Sequence, residues 1–136
     1  MKKKIIVILL SCIIILSLTT IFLNNQVETK KEIRYNITHK EEDINKVMDM
    51  AIQDYKNMKT NVYSVYYDEN MTYEEEQRYL KKTENSQEVI IVYLNFKTGF
   101  FDVSPGFGTN QEYIDYSYVA CKTKSGKWRF IDGGYG

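Results

Sequence analysis

The longest uninterrupted apolar stretch, Ile5 to Leu23 (IIVILLSCIIILSLTTIFL), runs 19 residues without a charged side chain. As a helix rising ~1.5 Å per residue it would extend about 28 Å, close to the hydrocarbon thickness of a bilayer. A helix satisfies all its own backbone groups, which lipid demands. Lys2, Lys3 and Lys4 precede the run and by the positive-inside bias stay in the cytoplasm, which sends the chain after Leu23 outward. Two other readings stay open. A cleaved signal peptide has a shorter apolar core and a small-residue site, whereas here NNQVETK follows without an alanine pair or a glycine. Leu9 to Cys12 (LLSC) has the outline of a lipidation box, but it lies close behind Lys4 and is followed by more membrane-like sequence, IIILSL. The pattern favours a retained anchor over residues 1–23, a stalk over 24–37, and one extracytoplasmic domain over 38–136.

Asn24 to Asn36 (NNQVETKKEIRYN) is polar, mixed in charge and without period, as a stalk would be. Helical period begins next. Thr38 and Glu41 have capping-box spacing, and Glu41, Glu42 and Asp43 load the first turn with the charge a helix N-terminus prefers. Ile44, Val47, Met48, Ala51, Ile52, Tyr55 and Met58 then form one apolar stripe. At this spacing the two methionines read as core and not as a binding groove.

Asn61 to Asp68 (NVYSVYYD) is β-branched and aromatic, the composition of a strand. Thr72 and Glu75 repeat the capping-box spacing and predict a short charged helix to about Lys82, with only Tyr73, Tyr79 and Leu80 able to face a core. Val89 to Phe96 (VIIVYLNF) is apolar without alternation, which suits a strand covered on both faces. Pro105-Gly106 marks a turn in the stretch Thr98 to Asn110. Glu112 to Lys124 alternates around Ile114, Tyr116, Tyr118 and Ala120, and Lys127 to Asp132 returns after Ser125-Gly126 as its hairpin partner. On that last strand Trp128 and Phe130 alternate, and truncating Trp128 should cost ~3–5 kcal/mol if its indole is core. Helix, strand, helix and then three strands predict an α+β domain, helices packed on one face of an antiparallel sheet.

Composition sharpens this picture. The chain after Leu23 holds all 12 tyrosines and the single tryptophan, enough aromatic surface to offset the entropy of ordering. Removing Lys2, Lys3 and Lys4 from the 18 basic residues leaves 15 against 18 acidic ones, a net of −3. A mildly acidic domain carries no electrostatic footprint for nucleic acid. Cys12 and Cys121 cannot form a disulfide framework, and Cys121 reads as a small core residue. An extracytoplasmic domain without disulfides points to a bacterium.

The stretches EEDINKVMDMAIQDY, VYYDEN, VIIVYLNF and the terminal KWRFIDGGYG resemble a family of short secreted or membrane-anchored Gram-positive proteins, known as a domain of unknown function. The resemblance covers about Thr38 to Tyr135. It implies a cystatin-like (nuclear-transport-factor-two-like) fold, helices packed into the concave face of a curved antiparallel sheet. The family's tyrosine-aspartate-glutamate run is matched by Tyr67, Asp68 and Glu69, and its terminus by Trp128, Asp132, Gly134 and Tyr135. Gly133 stands where the family has a second tryptophan. The family brings no established activity.

Candidate chemistry is sparse. There is no metalloprotease, nucleophile-elbow, paired-cysteine, phosphate-loop or dinucleotide motif. One histidine cannot build a transition-metal centre, and His39, at a helix start, reads as a solvated residue beside the stalk. No metal site and no cofactor is expected. Asp68, Glu69 and Asn70 lack the ligand count for calcium. In enzymes of the implied fold a carboxylate and a tyrosine inside the sheet's cone perform proton transfer. Asp115 with Tyr118, or Tyr66 with Tyr93, is the fallback pair, and Asp115 serves as a base only if the strand register turns it inward. Asp68, Glu69, Asp132 and Tyr135 are the candidate binding residues, against a plainer reading in which strand-end acids are turn chemistry. The tyrosines can serve a sugar- or peptide-binding surface or pack the sheet. The expected function is a non-catalytic binding or interaction module at the membrane, with an unspecified protein, peptide or small-molecule ligand. A small carboxylate-dependent enzyme and a membrane-tethered structural subunit are the alternatives.

Overall fold

A computed structural model describes residues 6, 8, 10–16 and 28–135. Residues 6, 8 and 10–16 are helical. Among the described residues no helix is long and apolar enough to cross a membrane, and the expected span over residues 5–23 lies largely outside them.

The domain is α+β and begins earlier than the sequence pattern suggests. Strand β1, Lys30–Tyr35, lies in the segment read as a stalk. It runs parallel to β2, Thr60–Asp68, with helix α1, Glu41–Asn57, as the crossover. Helix α2, Glu69–Lys82, follows β2 directly, and then come β3 (Ser86–Thr98), β4 (Glu112–Thr123) and β5 (Trp128–Gly134). The sheet order is β1-β2-β3-β4-β5, antiparallel from β2 onward. The expectation of a purely antiparallel sheet is therefore corrected at β1. A strand this polar gives no hydrophobic period, because backbone pairing and not side-chain burial creates it.

α1 buries Ile44, Val47, Met48, Ala51 and Tyr55, as the stripe predicts. They meet Val62, Val65 and Tyr67 of β2, Ile90, Val92, Leu94 and Phe96 of β3, and Tyr118 and Ala120 of β4. The other sheet face is also covered. Val89, Ile91, Val119 and Cys121 pack there with Tyr79 and Leu80 of α2 and Ile131 of β5. One helix on each face replaces the expected single helical layer, and it explains the unalternating run of β3. Ile90, Val92 and Leu94 face the α1 core and Val89 and Ile91 the other, while Tyr93 lies beyond the cover of α2.

Neither capping box forms. α1 starts after Lys40, which makes no side-chain cap, because Thr38 is engaged with Glu69 of α2 instead. α2 starts four residues early, capped by Asp68, whose carboxylate accepts from the Asn70 amide at 3.1 Å. Thr72, the expected cap, is a buried residue inside the helix. Met58 is partly exposed, at the end of the stripe.

Irregularities in β4 and β5 re-aim side chains. Between Leu94 and Phe96 the pairing slips, so that Phe96 faces Tyr113 while Leu94 faces Tyr116. Asp115 takes φ 54 to accommodate the extra residue. Tyr113, not Ile114, therefore joins the α1 face with Tyr116 and Tyr118, and Ile114 stays exposed. The second slip lies between Val119 and Ala120, which pair with Asp132 and Phe130. It moves Asp132 off the face shared by Trp128 and Phe130. Trp128 packs on the main core and its Nε1–H donates to Asp43 at 3.2 Å, whereas Phe130 remains about half exposed.

The bulge makes a stability prediction. Truncating Leu94 to alanine should cost about 2–5 kcal/mol in urea unfolding, as for a filled core site. Truncating Ile114 should cost less than about 1 kcal/mol. Equal costs would mean that Ile114 lies in the core and that the strand alternates without a bulge.

Candidate functional site

The face opposite α1 is only partly roofed, since α2 crosses it over Val89, Ile91, Val119 and Cys121. One rung of the sheet runs Glu32, Tyr66, Tyr93, Ser117, Gly134 from β1 to β5. Along that rung the side chains shrink from tyrosine to serine to glycine, so the floor steps down toward β5. The result is a groove of about 240 Å³ between α2 and β5. Met71, Glu75 and Tyr79 of α2 form one wall, spaced four residues apart on one helix face. Asp132, Gly134 and Tyr135 form the other, above Ile91, Tyr93, Ser117 and Val119.

The walls are fixed. The Tyr79 hydroxyl donates to Asp132, whose other oxygen accepts from the Gly133 amide at 2.8 Å, so helix and strand are tied across the groove. The bond to Asp132, together with partial burial, raises the Tyr79 phenol above its ordinary value, so it stays a donor. Tyr135 packs its ring on Tyr113 and Tyr116 at 6.2 and 5.2 Å. Toward β1 the floor continues as a stack in which Tyr93 lies 5.3 Å from Tyr66, and Arg34 sits 3.5 Å over the Tyr66 ring. The Tyr66 hydroxyl donates to Asp115 at 2.7 Å. Burial and that carboxylate push the Tyr66 phenol well up.

Of the expected binding residues, Asp132 and Tyr135 come together here. Asp68 and Glu69 do not, because they open α2 and serve structure. The fallback pair is not assembled either. Asp115 is exposed on the bulge, while Tyr118 is buried on the α1 face, its hydroxyl donating to Asp54 at 2.5 Å. Tyr93 lines the groove and Tyr66 stacks beside it outside the lining, with its hydroxyl committed to Asp115.

A second group was invisible in the sequence. His39 is buried, not solvated, with 7% of its side chain exposed. Its Nδ1 lies 2.5 Å from Glu88 and its Nε2 3.0 Å from Glu76. Glu76 is 2% exposed and also accepts the Ile91 amide at 2.9 Å. Glu69, one helical repeat earlier, accepts from the Ile37 and Thr38 amides and the Thr38 hydroxyl. The buried face of α2 is thus Glu69, Thr72 and Glu76, a polar stripe that a search for apolar period passes over. Burial alone would lower the His39 pKa, but the two carboxylates outweigh it and the pKa is raised. With both ring nitrogens against carboxylates, the charged form of the imidazole is favoured and neither nitrogen is free to act as a base. Among the described residues no group of His, Cys, Asp and Glu side chains could hold a metal ion.

Comparison of the chain with protein-family models, with curated proteins and with solved structures finds no match.

The His39 cluster gives a pH prediction. A raised folded pKa means the stabilisation is complete below about pH 6.5 and fades as pH rises through the folded value. Urea midpoints should therefore fall on going alkaline through that range, and His39→Gln should flatten the fall. Glu76→Gln, which strands both His39 and part of the junction, should cost about 3 kcal/mol.

Proposed function

We propose that this chain is a membrane-anchored, extracytoplasmic, non-catalytic binding module whose ligand occupies the groove between α2 and β5. The observation that carries the reading is the groove itself: a stepped floor of Tyr93, Ser117 and Gly134 between walls held rigid by Tyr79–Asp132. At about 240 Å³ it suits one amino-acid side chain with its flanking backbone, or one sugar ring. Tyr79 and Tyr93 supply flat, rigid contact area at small entropic cost. Asp132 and Glu75 offer acceptors to a ligand's hydrogen-bond donors.

The anchor rests on the apolar run and its lysine flank. Ile6, Ile8, Leu10, Ile13, Ile14, Ile15 and Leu16, the described large apolar members of that run, are each more than half exposed, which suits a lipid surround. Kinship with the Gram-positive family and its cystatin-like fold is supported by α1 lying on one sheet face and by Tyr67-Asp68-Glu69 forming the β2–α2 junction. The parallel β1 and the opposed α2 depart from that fold. So does Gly133, where a Cβ would stand 2.9 Å from the Ser117 carbonyl. A tryptophan at that position would require β5 to shift.

Two outcomes are expected. In amide chemical-shift titrations with short peptides and with cell-wall saccharides, a binder should move the signals of Tyr93, Ser117, Val119 and Gly134. Ser117→Trp, which fills the groove, should abolish those shifts while leaving the fold intact, and binder-induced shifts confined to other residues would refute the site. For topology, protease added to intact wall-less cells should digest the domain and leave the anchor in the membrane fraction. Recovery of the domain in the medium with an N-terminus near Asn24 would show a cleaved signal instead.

A further inference from the structure

The end of the domain at which the chain enters carries a second apolar feature. β1 and β2 are parallel, so Thr29, just before β1, lies beside the start of β2, and its hydroxyl donates to the Val62 carbonyl at 2.7 Å. β3 ends at the same place, with Thr98 opposite Thr60. The β3–β4 loop, residues 99–111, therefore projects from the entry end, farther out than Thr29 itself.

That loop is built, not loose. The Asn110 amide donates to the Gly99 carbonyl at 2.8 Å, and the Thr98 hydroxyl to the Gly108 carbonyl at 2.6 Å. Lys59 pairs with Asp102 at 2.9 Å, and the Ser104 hydroxyl reaches the Met58 carbonyl. One of its phenylalanines, Phe107, packs inward against Tyr55 and Phe96. The other two are held outward, Phe100 at 69% and Phe101 at 89% exposure. Presenting two adjacent large apolar side chains on an ordered base is costly in water and favourable at a lipid surface.

Chain length decides the occupant. Thr29 follows Leu23, the last residue of the apolar run, by six residues, a reach of at most about 20 Å. If the run ends at the bilayer surface, the entry end of the domain cannot stand farther off than that, and the loop tip projects into the gap.

We propose that Phe100 and Phe101 insert into the bilayer that holds the anchor, a second membrane contact that fixes how the domain stands on the surface. This rests on the anchor reading given above. The charges near the tip are paired, Lys59 with Asp102 and Lys97 with Glu112, so insertion is apolar and does not require anionic lipid. The α2–β5 groove then stays clear of the membrane at mid-domain, open to ligand.

The test uses the full chain reconstituted into phosphatidylcholine vesicles, with and without bromine on the acyl chains, which quenches nearby indoles. Phe101→Trp places a reporter at the exposed tip without disturbing the core. Trp128 is the internal control, since it bonds Asp43 in the first turn of α1 and lies at the end of the domain away from the loop. In Phe101→Trp the emission should be blue-shifted and fall about twofold or more in brominated vesicles, a depth of about 5–10 Å, while unsubstituted chain shows no quenching. Vesicle-bound chain with no extra quenching at position 101 overturns the insertion and leaves the anchor standing, as would be seen if the loop served a protein partner. Quenching of Trp128 in the unsubstituted chain overturns the orientation and so the proposal. Chain that fails to float with the vesicles overturns the anchor reading, and the insertion with it.

Discussion

A single carboxylate stands where the sheet divides. β2 pairs with β3 only as far as Tyr66 and Tyr93, after which β2 turns directly into α2. The Ile91 amide, which would otherwise have lost its ladder partner, donates to Glu76 at 2.9 Å. A side chain from α2 thus replaces a strand, and a buried backbone group is satisfied that would cost ~1–3 kcal/mol unpaired. Burying that carboxylate requires a cation, and His39 provides it from the β1–α1 connection, with Glu88 completing the bridge and Lys122 3.7 Å from Glu88. Because Glu76 is fixed, α2 can lie over only part of the sheet. The uncovered part is the groove.

The rest of the architecture follows from this junction. Glu69 and Glu76, two turns apart on one face of α2, pin the connection at residues 37–39, so β1 is held against β2 although it contributes little to the core. α1 is then committed to the opposite face, where it is anchored at its start by Asp43. That carboxylate is nearly buried, which would raise its pKa, but hydrogen bonds from Lys122 and Trp128 outweigh this and lower it. The two helices therefore do different jobs. α1 closes a hydrophobic core, and α2 carries a polar stripe inward and the groove wall outward.

What the sequence showed and what it hid divides along the same physical line. Apolar period was legible wherever a side chain is buried by its own element's pattern: the α1 stripe, the doubly covered β3, the aromatic β2 and Cys121 in the core. β1 was hidden because KKEIRY forms a strand through backbone pairing at an edge, with no buried face to impose alternation. His39 was hidden because its burial depends on carboxylates 37 and 49 residues away. The one local hint was that Glu69, Thr72 and Glu76 share a helix face. The register of Asp115 and Asp132 was hidden because each lies at a bulge, and a bulge leaves no hydrophobic signature. Of the site, Asp132 and Tyr135 were legible as strand-end residues, but the stepped floor was not. It is a property of a rung assembled from five strands.

The central claim is that a charged imidazolium, and not a neutral histidine, holds this junction together. Long-range proton–nitrogen correlation of His39 at pH 7 tests it directly, because the two ring nitrogens report protonation separately. The structure predicts both nitrogens protonated, with the His39 signals changing only at a pH above the ordinary ~6.5. A neutral ring at pH 7, with one nitrogen free of its proton, would contradict the account.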